Sequence, residues 1–146
     1  MHTEPATLGR MFCVRLDPGE DLLEGLRQAV ADLGIRNGVF LSGIGSLTSY
    51  HVHVVSSTDL PPANAFMRGE GPFDILAITG QIMGGRVHAH LTFSDEETAM
   101  GGHLEPGCHV LTFAIVTLAE LPDNDLSRWD RVGTYAEVHP DGGGTS

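Results

Sequence analysis

The sequence predicts an α+β domain, in which an antiparallel β-sheet accompanies one main α-helix. Two observations indicate this class. Only residues 20–34 carry apolar side chains at convincing helical spacing. Most of the remaining chain consists of short runs of β-branched or alternating residues, separated by turn-forming residues. Several short strands around a single helix are typical of an antiparallel α+β domain.

The length of 146 residues suits one domain with one hydrophobic core. Apolar residues make up 41% of the chain, which indicates a globular protein and argues against disorder. We predict a single domain over residues 1–138. Residues 139–146, HPDGGGTS, are predicted to form a disordered tail.

The first strand and the helix are predicted to follow each other directly. Residues 11–16, MFCVRL, alternate in the manner of a strand. Asp17 is predicted to cap the helix, with Pro18 in its first turn and Glu20 at the capping-box position. A stripe of leucines and other apolar residues continues to Gly34, which is predicted to end the helix.

The other strands are predicted from alternation and from β-branched residues. The segment 57–72 contains three prolines and two glycines, so it is predicted to form a surface loop. The predicted strands after the helix are residues 39–44, 50–56, 73–79, 86–93 and 110–121.

The charge of the chain bears on its partners. The formal net charge is −11, lysine is absent, and the eight arginines form no continuous basic run. DNA affinity rests largely on neutralising phosphates, so this charge argues against direct DNA binding. A local arginine patch is still compatible with an acidic total.

The two cysteines, Cys13 and Cys108, lie in separate apolar runs and form no CxxC pair. We interpret them as buried free thiols in a reducing compartment. The chain shows no signal peptide, and its most apolar segment, residues 110–121, is too short to span a bilayer. These features predict a soluble cytoplasmic protein.

The segment 86–104, RVHAHLTFSDEETAMGGHL, carries the most informative pattern in the chain. His88 and His90 are two apart in a predicted strand, so both project from the same face. Residues 94–98, SDEET, suit a hairpin loop that would place His103 roughly opposite His88. Three imidazoles arranged in this way can bind one metal ion.

The glycines Gly101 and Gly102 just before His103 are predicted to form a bulge that aims the third ring. A register different by one residue would send that ring to the other face, so accidental histidine spacing is the alternative. Three neutral imidazoles favour Zn²⁺ and are also compatible with Fe²⁺, Ni²⁺ or Mn²⁺. Three protein ligands would leave one coordination position open for water or a substrate oxygen.

Proton transfer at such a site would need a carboxylate, for which the sequence offers Asp74, Glu70 and Glu105. Each of them is more simply explained as a solvated or capping acid. His51 and His53 form a second HxH pair without an obvious third ligand. We interpret both as solvent-facing strand residues.

Two other motifs are interpreted as structural. Residues 42–47, SGIGSL, lack the third glycine and the following helix that a dinucleotide-binding loop requires. Cys108 and His109 are adjacent in a predicted strand and so point to opposite faces, which argues against a Cys–His nucleophile.

Several segments, in this order, resemble the PPC domain, which is named for plants and prokaryotes conserved. After the first strand and its capped helix come LSGIGSLTSYHV, GPFDILAITGQI, HAHLTFSDEETAMGGHLEPGCHV and a closing RWDRVGTYAEV. The resemblance covers nearly the whole chain. Its most specific part is the HxH pair followed, after a small loop, by GGH.

The resemblance implies an antiparallel α+β fold, a homotrimer, and a metal held by His88, His90 and His103. Asp74 matches the acidic position of a Phe-Glu-Ile-Leu-like segment of the family, with a shorter side chain, and is the candidate for an acid/base role near the metal. Pro72 stands where plant members carry arginine. In plants the domain accompanies AT-hook segments that bind the minor groove, but no Arg-Gly-Arg-Pro core occurs here.

Three functions are compatible with these features. The first is a metal site, with zinc as the favoured ion, that acts on or senses a small molecule within a homotrimer. The second is a DNA-associated regulatory or assembly module, against which the acidic charge and the missing hook argue. The third is a trimerisation scaffold in which the metal braces a hairpin. The sequence leaves the substrate and the question of catalysis open.

Overall fold

Six β-strands and two helices make up the computed structural model of the chain, which describes residues 1–140. In chain order they are β1 (Met11–Leu16), α1 (Leu22–Asp32), β2 (Asn37–Val55), β3 (Asn64–Met83), β4 (Arg86–Ser94), β5 (Ala99–Leu104), β6 (Val110–Glu120) and α2 (Tyr135–Val138). All strand pairs are antiparallel, and the sheet order is β1-β6-β2-β3-β4-β5. The predicted antiparallel sheet with one main helix is confirmed.

The long strand β2 closes part of the sheet into a ring. Its last residues pair with β3 on one side and with β5 on the other, so β2, β3, β4 and β5 each have two partners in the ring. The contact with β5 is short, with Val52 opposite Leu104 and His53 opposite His103. The helix α1 packs against β1 and β4. The core includes Leu22, Leu26, Val30, Val52, Leu91, Phe93 and Leu104.

The helix α1 begins later than predicted. Its N-cap is Asp21, whose carboxylate accepts a backbone N–H from the first turn at 3.0 Å. The predicted cap at Asp17 is wrong because Gly19 has a left-handed φ of +88° and donates its N–H to the Val110 carbonyl. Pairing with the start of β6 therefore holds this turn outside the helix. The predicted end is confirmed, since Gly34 has a φ of +66°, which glycine adopts readily.

The two strands predicted over residues 39–44 and 50–56 belong to one strand of 19 residues, β2. The small residues between these two segments suggest a break between strands. In the structure they instead allow two neighbouring strands to approach closely. A Cβ at Gly45 would lie 2.1 Å from the Phe113 carbonyl oxygen of β6. Glycine therefore allows β2 to stay paired with β6 where another residue would push the strands apart.

The predicted loop over residues 57–72 is wrong for its second half. Residues 64–72 form the start of β3, which pairs with β2 from Asn64 opposite Val55 onward. Pro72 is compatible with this strand because it lies at a register irregularity, where the ladder needs no N–H from it.

The two cysteines differ in burial. Cys108 is fully buried, and burial raises the pKa of its thiol to about 11. Cys13 is exposed, so the prediction that both thiols are buried is wrong for this one. Strand alternation explains the difference, because Phe12 and Val14 occupy the core side of β1.

Residues 121–140 form a C-terminal segment that is fastened to the sheet by Asn37. The Asn37 side chain donates to the Asn124 carbonyl at 2.7 Å and accepts the Leu126 N–H at 3.0 Å. Both Asn124 and Leu126 are buried. The short helix α2 in this segment, which the sequence did not predict, is capped by Thr134.

The predicted disordered tail, residues 139–146, falls mainly on residues 141–146, which lie outside the described residues. His139 is described, and its ring stacks on Tyr135 with 4.1 Å between the centroids. Within residues 1–140, neither helix has the length and apolar character that a membrane crossing needs.

Candidate metal site

Strand β4 places its two histidines on the outer face of the sheet. Ala89, Leu91 and Phe93 are at most 1% exposed and belong to the core. His88 and His90 occupy the alternate positions, as expected for residues two apart in a strand. Their rings are nearly parallel, with 5.6 Å between the centroids and 6° between the planes.

Strand β5 brings His103 against β4, but in a different register from the predicted one. His103 pairs with His90, whereas the sequence placed it opposite His88. The loop begins one residue later than assumed, because the Asp95 carboxylate accepts the backbone N–H groups of Glu97 and Thr98, each at 2.8 Å. A shift of two residues along a strand keeps the same face, so His103 still joins the other two.

The glycines before His103 make room for β5 and do not form the predicted bulge. The pairing of β4 with β5 is regular through Gly101 and Gly102. A Cβ at Gly101 would lie 2.4 Å from the Leu91 carbonyl oxygen of β4. A Cβ at Gly102 would lie 2.6 Å from the His53 carbonyl oxygen of β2. These glycines therefore let β5 fit closely between β2 and β4.

The rings of His88, His90 and His103 converge. The His103 centroid lies 4.8 Å from that of His88 and 5.3 Å from that of His90, and its ring is almost perpendicular to both, at 85° and 83°. One nitrogen from each ring lies within 4.8 Å of the other two. The structure thus brings together the three residues that the sequence nominated as ligands.

A carboxylate from the C-terminal segment orients His88. Nδ1 of His88 lies 3.1 Å from Oδ2 of Asp130, and because a carboxylate only accepts, Nδ1 carries the proton. Arg86 holds both Asp130 oxygens, with Nη1–Oδ2 at 3.0 Å and Nη2–Oδ1 at 2.9 Å. The Arg86 guanidinium and, to a lesser extent, His88 lower the pKa of Asp130 to about 2. Nε2 of His88 is left free as a ligand.

A second histidine–carboxylate pair lies on the other side of His103. His53 of β2 has its ring centroid 4.6 Å from that of His103, and its Nδ1 donates to Oε1 of Glu105 at 2.7 Å. His51 is only 7% exposed, with Nδ1 2.7 Å from the Pro106 carbonyl oxygen. The interpretation of His51 and His53 as solvent-facing is therefore wrong, because the residues that follow His103 cover them.

Burial and the neighbouring histidines disfavour protonation of His90 and His103. Burial and, in decreasing order, the neighbouring His88, His53 and His90 together lower the pKa of His103 to about 4. Burial, His88 and His53 also lower the pKa of His90. Neutral imidazole is the form that binds metal, so the surroundings keep these rings ready for an ion.

We expect the metal-free protein to lose stability as the pH falls from 6.5 to about 4. In this window the unfolded chain protonates His103, with an ordinary pKa of 6.5, while the folded chain does not. One such proton corresponds to a slope of at most about 1.4 kcal/mol per pH unit. The loss of stability that Asp130 causes occurs at lower pH, between 3.8 and about 2, because the fold lowers the pKa of this carboxyl from 3.8 to about 2.

Urea unfolding at several pH values in the presence of a chelator measures this slope. The variant His103→Asn should show a shallower slope between pH 6.5 and 4 and the same slope below pH 3.8. Equal slopes in the upper window for the two proteins would contradict the assignment to His103.

Asp74, the sequence-based candidate for an acid/base role, lies away from the histidines. Asp74 of β3 pairs with Ser94 of β4. His90, which pairs with Thr79, lies four residues before Ser94 in β4. That separation corresponds to about 13 Å along the strand. Asp74 and Glu70 line a cavity of about 520 Å³ on whose walls no histidine lies. This geometry gives no support to Asp74 as a partner of the same chain's metal site.

Two residues near the histidines were not assigned from the sequence. His53 had a signal, the second HxH pair, but its partners on β5 depend on the closure of the ring of strands. Asp130 lies 42 residues from His88 in a segment without regular strands, so no local pattern could reveal it.

The antiparallel sheet, its single long helix and the outward histidine cluster define a small β-rich domain with a candidate metal centre. The Plants and Prokaryotes Conserved (PCC) domain matches residues 3–122. The chain therefore belongs to this family, which is the one that its motifs resemble.

Among curated proteins, the chain is 33% identical over 132 residues to the bifunctional protein GlmU of Synechococcus sp. strain JA-2-3B'a(2-13). The alignment covers 89% of this chain and 20% of that protein. The chain thus spans about a fifth of the length of this relative, and the likeness concerns that part alone.

Solved structures share the fold. A PPC protein from Pyrococcus horikoshii has a TM-score of 0.73 at 25% identity, covering 86% of this chain and 87% of its own. The metal-containing protein AF0104 from Archaeoglobus fulgidus has a TM-score of 0.70 at 22% identity, covering 84% and 89%. A protein from Ralstonia eutropha whose name proposes DNA binding has a TM-score of 0.64 at 23% identity, covering 75% and 77%.

Proposed function

We propose that the protein binds a divalent metal ion, most simply Zn²⁺, through His88, His90 and His103. The observation that carries the proposal is the convergence of three imidazole nitrogens on one outer face, within 4.8 Å of one another. The hydrogen bond from His88 to Asp130 supports it, because metal-binding histidines usually donate their other N–H to a carboxylate or carbonyl. The name of the Archaeoglobus fulgidus protein, which has the same fold, agrees with it.

The donor set favours zinc, since three neutral imidazoles suit a borderline cation without demanding a particular geometry. A bound Zn²⁺ with three protein ligands would offer an open position for an oxygen atom of a small molecule. His90 is exposed, so this position would be reachable from solvent. The proposal is therefore a metal site that binds a small oxygen-containing ligand. In this proposal Asp130 orients His88, and Asp74, the sequence-based candidate for an acid/base role, has no assigned part.

Elemental analysis of untagged protein tests the proposal. We expect at least one zinc equivalent per chain in the wild type, and about one equivalent fewer in the double variant His88→Gln/His90→Gln. Anomalous scattering at the zinc edge should place the ion beside His103. Negligible metal in the wild type, also after incubation with Zn²⁺, would reject the site.

We propose further that residues 1–138 act as one domain within a homotrimer. Exposed apolar residues on β2 and β3 support self-association. Ile44 and Leu76 are 55% and 51% exposed. Ile44 precedes Gly45 and Leu76 follows Ile75, and Gly45 pairs with Ile75 across the two strands. An interface between subunits would remove these apolar side chains from water. Light scattering should give three times the chain mass of 15.6 kDa, and Ile44→Asp/Leu76→Asp should lower it.

DNA binding is the second candidate function, favoured by the name of the Ralstonia eutropha protein. That is an argument by fold alone. Four of the eight arginines, Arg10, Arg15, Arg27 and Arg86, are paired with carboxylates and so are poorly placed for phosphates. A mobility-shift titration at low salt decides the matter, because a DNA-binding protein should shift the probe at micromolar concentration.

A further inference from the structure

His103 belongs to two groups of potential metal ligands. The first is the group with His88 and His90 on β4. The second consists of His53, His103 and Glu105, whose donor atoms also lie within 4.8 Å of one another. The pairing explains the arrangement, because His103 on β5 is opposite His90 of β4 on one side and opposite His53 of β2 on the other.

The donors of the second group are held in place. The side chains of His53 and Glu105 are 18% and 23% exposed and are joined by the 2.7 Å hydrogen bond from Nδ1 to Oε1. The ring of Phe66 packs beside His53, with 5.1 Å between the centroids. Nδ1 of His53 and Oε1 of Glu105 face each other across a shared proton, so an ion that binds both atoms would take the place of this proton, which would move to Nε2 of His53.

The chemistry of the second group differs from that of the first. Two imidazoles and one carboxylate form a mixed nitrogen and oxygen donor set, which suits Fe²⁺, Mn²⁺ and Zn²⁺. The first group offers imidazoles alone. Within residues 1–140, His53 belongs to the group with His103 and Glu105. It does not belong to the first group. The placement of His53 therefore favours a separate ion over a fourth ligand for the first.

We propose that the protein has a second divalent-cation position, formed by His53 and Glu105 with His103 shared between the two ions. Each nitrogen of the His103 ring serves one ion, since the ring lies between the two sets of donors. A ring that binds two ions is fully deprotonated, so the second ion releases one further proton. The second position rests on the proposed metal site only through His103.

Titration of metal-free, untagged protein with Zn²⁺ against a chromophoric chelator tests the second position. The wild type should bind two equivalents per chain, in two steps. The variants His53→Gln and Glu105→Gln should each lose one equivalent or bind it more than about tenfold more weakly. The double variant His88→Gln/His90→Gln should lose the other equivalent and retain the one held by His53.

The control is His109→Gln, which alters a histidine outside both groups whose ring bonds the Ser49 hydroxyl. It should keep two equivalents. Near-UV circular dichroism in chelator shows whether each variant is folded, and only folded variants are compared.

The outcomes separate the two proposals. A wild type that binds one equivalent, unchanged in His53→Gln, overturns the second position and leaves the first site standing. One equivalent that His53→Gln weakens makes His53 a ligand of the first ion and also overturns the second position. No binding by the wild type overturns both.

Discussion

Replacing His103 with alanine should remove tight metal binding while the protein still folds. His103 is the residue that the two groups of potential ligands share, and it lies on the strand between them. Loss of a hydrogen-bonding partner of a ligand costs about 10–100-fold in metal affinity. Loss of this ligand itself should therefore cost more than about 100-fold. Chelator competition with Zn²⁺ measures the affinity.

The matched control for His103→Ala is His109→Ala, which removes an exposed imidazole outside both groups. That variant should bind zinc as the wild type does. Folding of both variants is checked in chelator, where the metal makes no contribution. If folded His103→Ala binds zinc with unchanged affinity, the site lies elsewhere in the protein.

The second large effect is expected for Asp130→Asn, which should weaken zinc binding by about 10–100-fold. The substitution removes the charge that Arg86 and Nδ1 of His88 share. The Asn amide has a single acceptor oxygen for which Arg86 and His88 compete, so the His88 ring is held less firmly with its proton on Nδ1 and its Nε2 free. Isothermal titration of the metal-free variant with Zn²⁺ gives the affinity and its dependence on pH.

The control for Asp130→Asn is Asp125→Asn in the same segment, where the carboxylate accepts the Ser127 backbone N–H at 3.0 Å and belongs to neither group of potential ligands. A merely structural role of Asp130 would lower the thermal stability of the metal-free protein and leave zinc affinity at the wild-type level. Our assignment predicts that the affinity falls even when the folded protein is compared at a temperature well below unfolding.

The parts of the fold that follow from local pattern were predictable. The alternation of β4 determines that His88 and His90 share the outer face, because the core takes Ala89 and Leu91. The end of α1 at Gly34 follows from the conformational freedom of glycine. In both cases the physical cause acts within a few residues, so the sequence contains it.

The errors arose where distant strands decide the structure. Gly45 marks a close contact between β2 and β6, although a glycine among small residues also fits a break between strands. Asp17 has every local feature of a helix cap, but pairing of the next residues with β6 displaces the start to Asp21. Local patterns cannot reveal which of two such interactions is stronger.

The candidate site shows the same division. The three imidazoles were found because their spacing is local, and a shift of two residues in the hairpin preserved their face. The carboxylate of Asp130 and the position of His53 beside His103 depend on how the chain returns to the sheet after β6 and on how β2 closes the ring. Neither can be read from spacing.

The family match ends at residue 122, while the carboxylate that steadies His88 is Asp130. A chain cut at that boundary would keep every described strand and the histidines of both groups of potential ligands, since β6 ends at Glu120. The His88 ring would nevertheless lose the hydrogen bond to Asp130 that fixes its orientation and its tautomer. Trimming this protein to the matched residues would thus retain the strands of the sheet but remove the carboxylate that orients one of the proposed ligands.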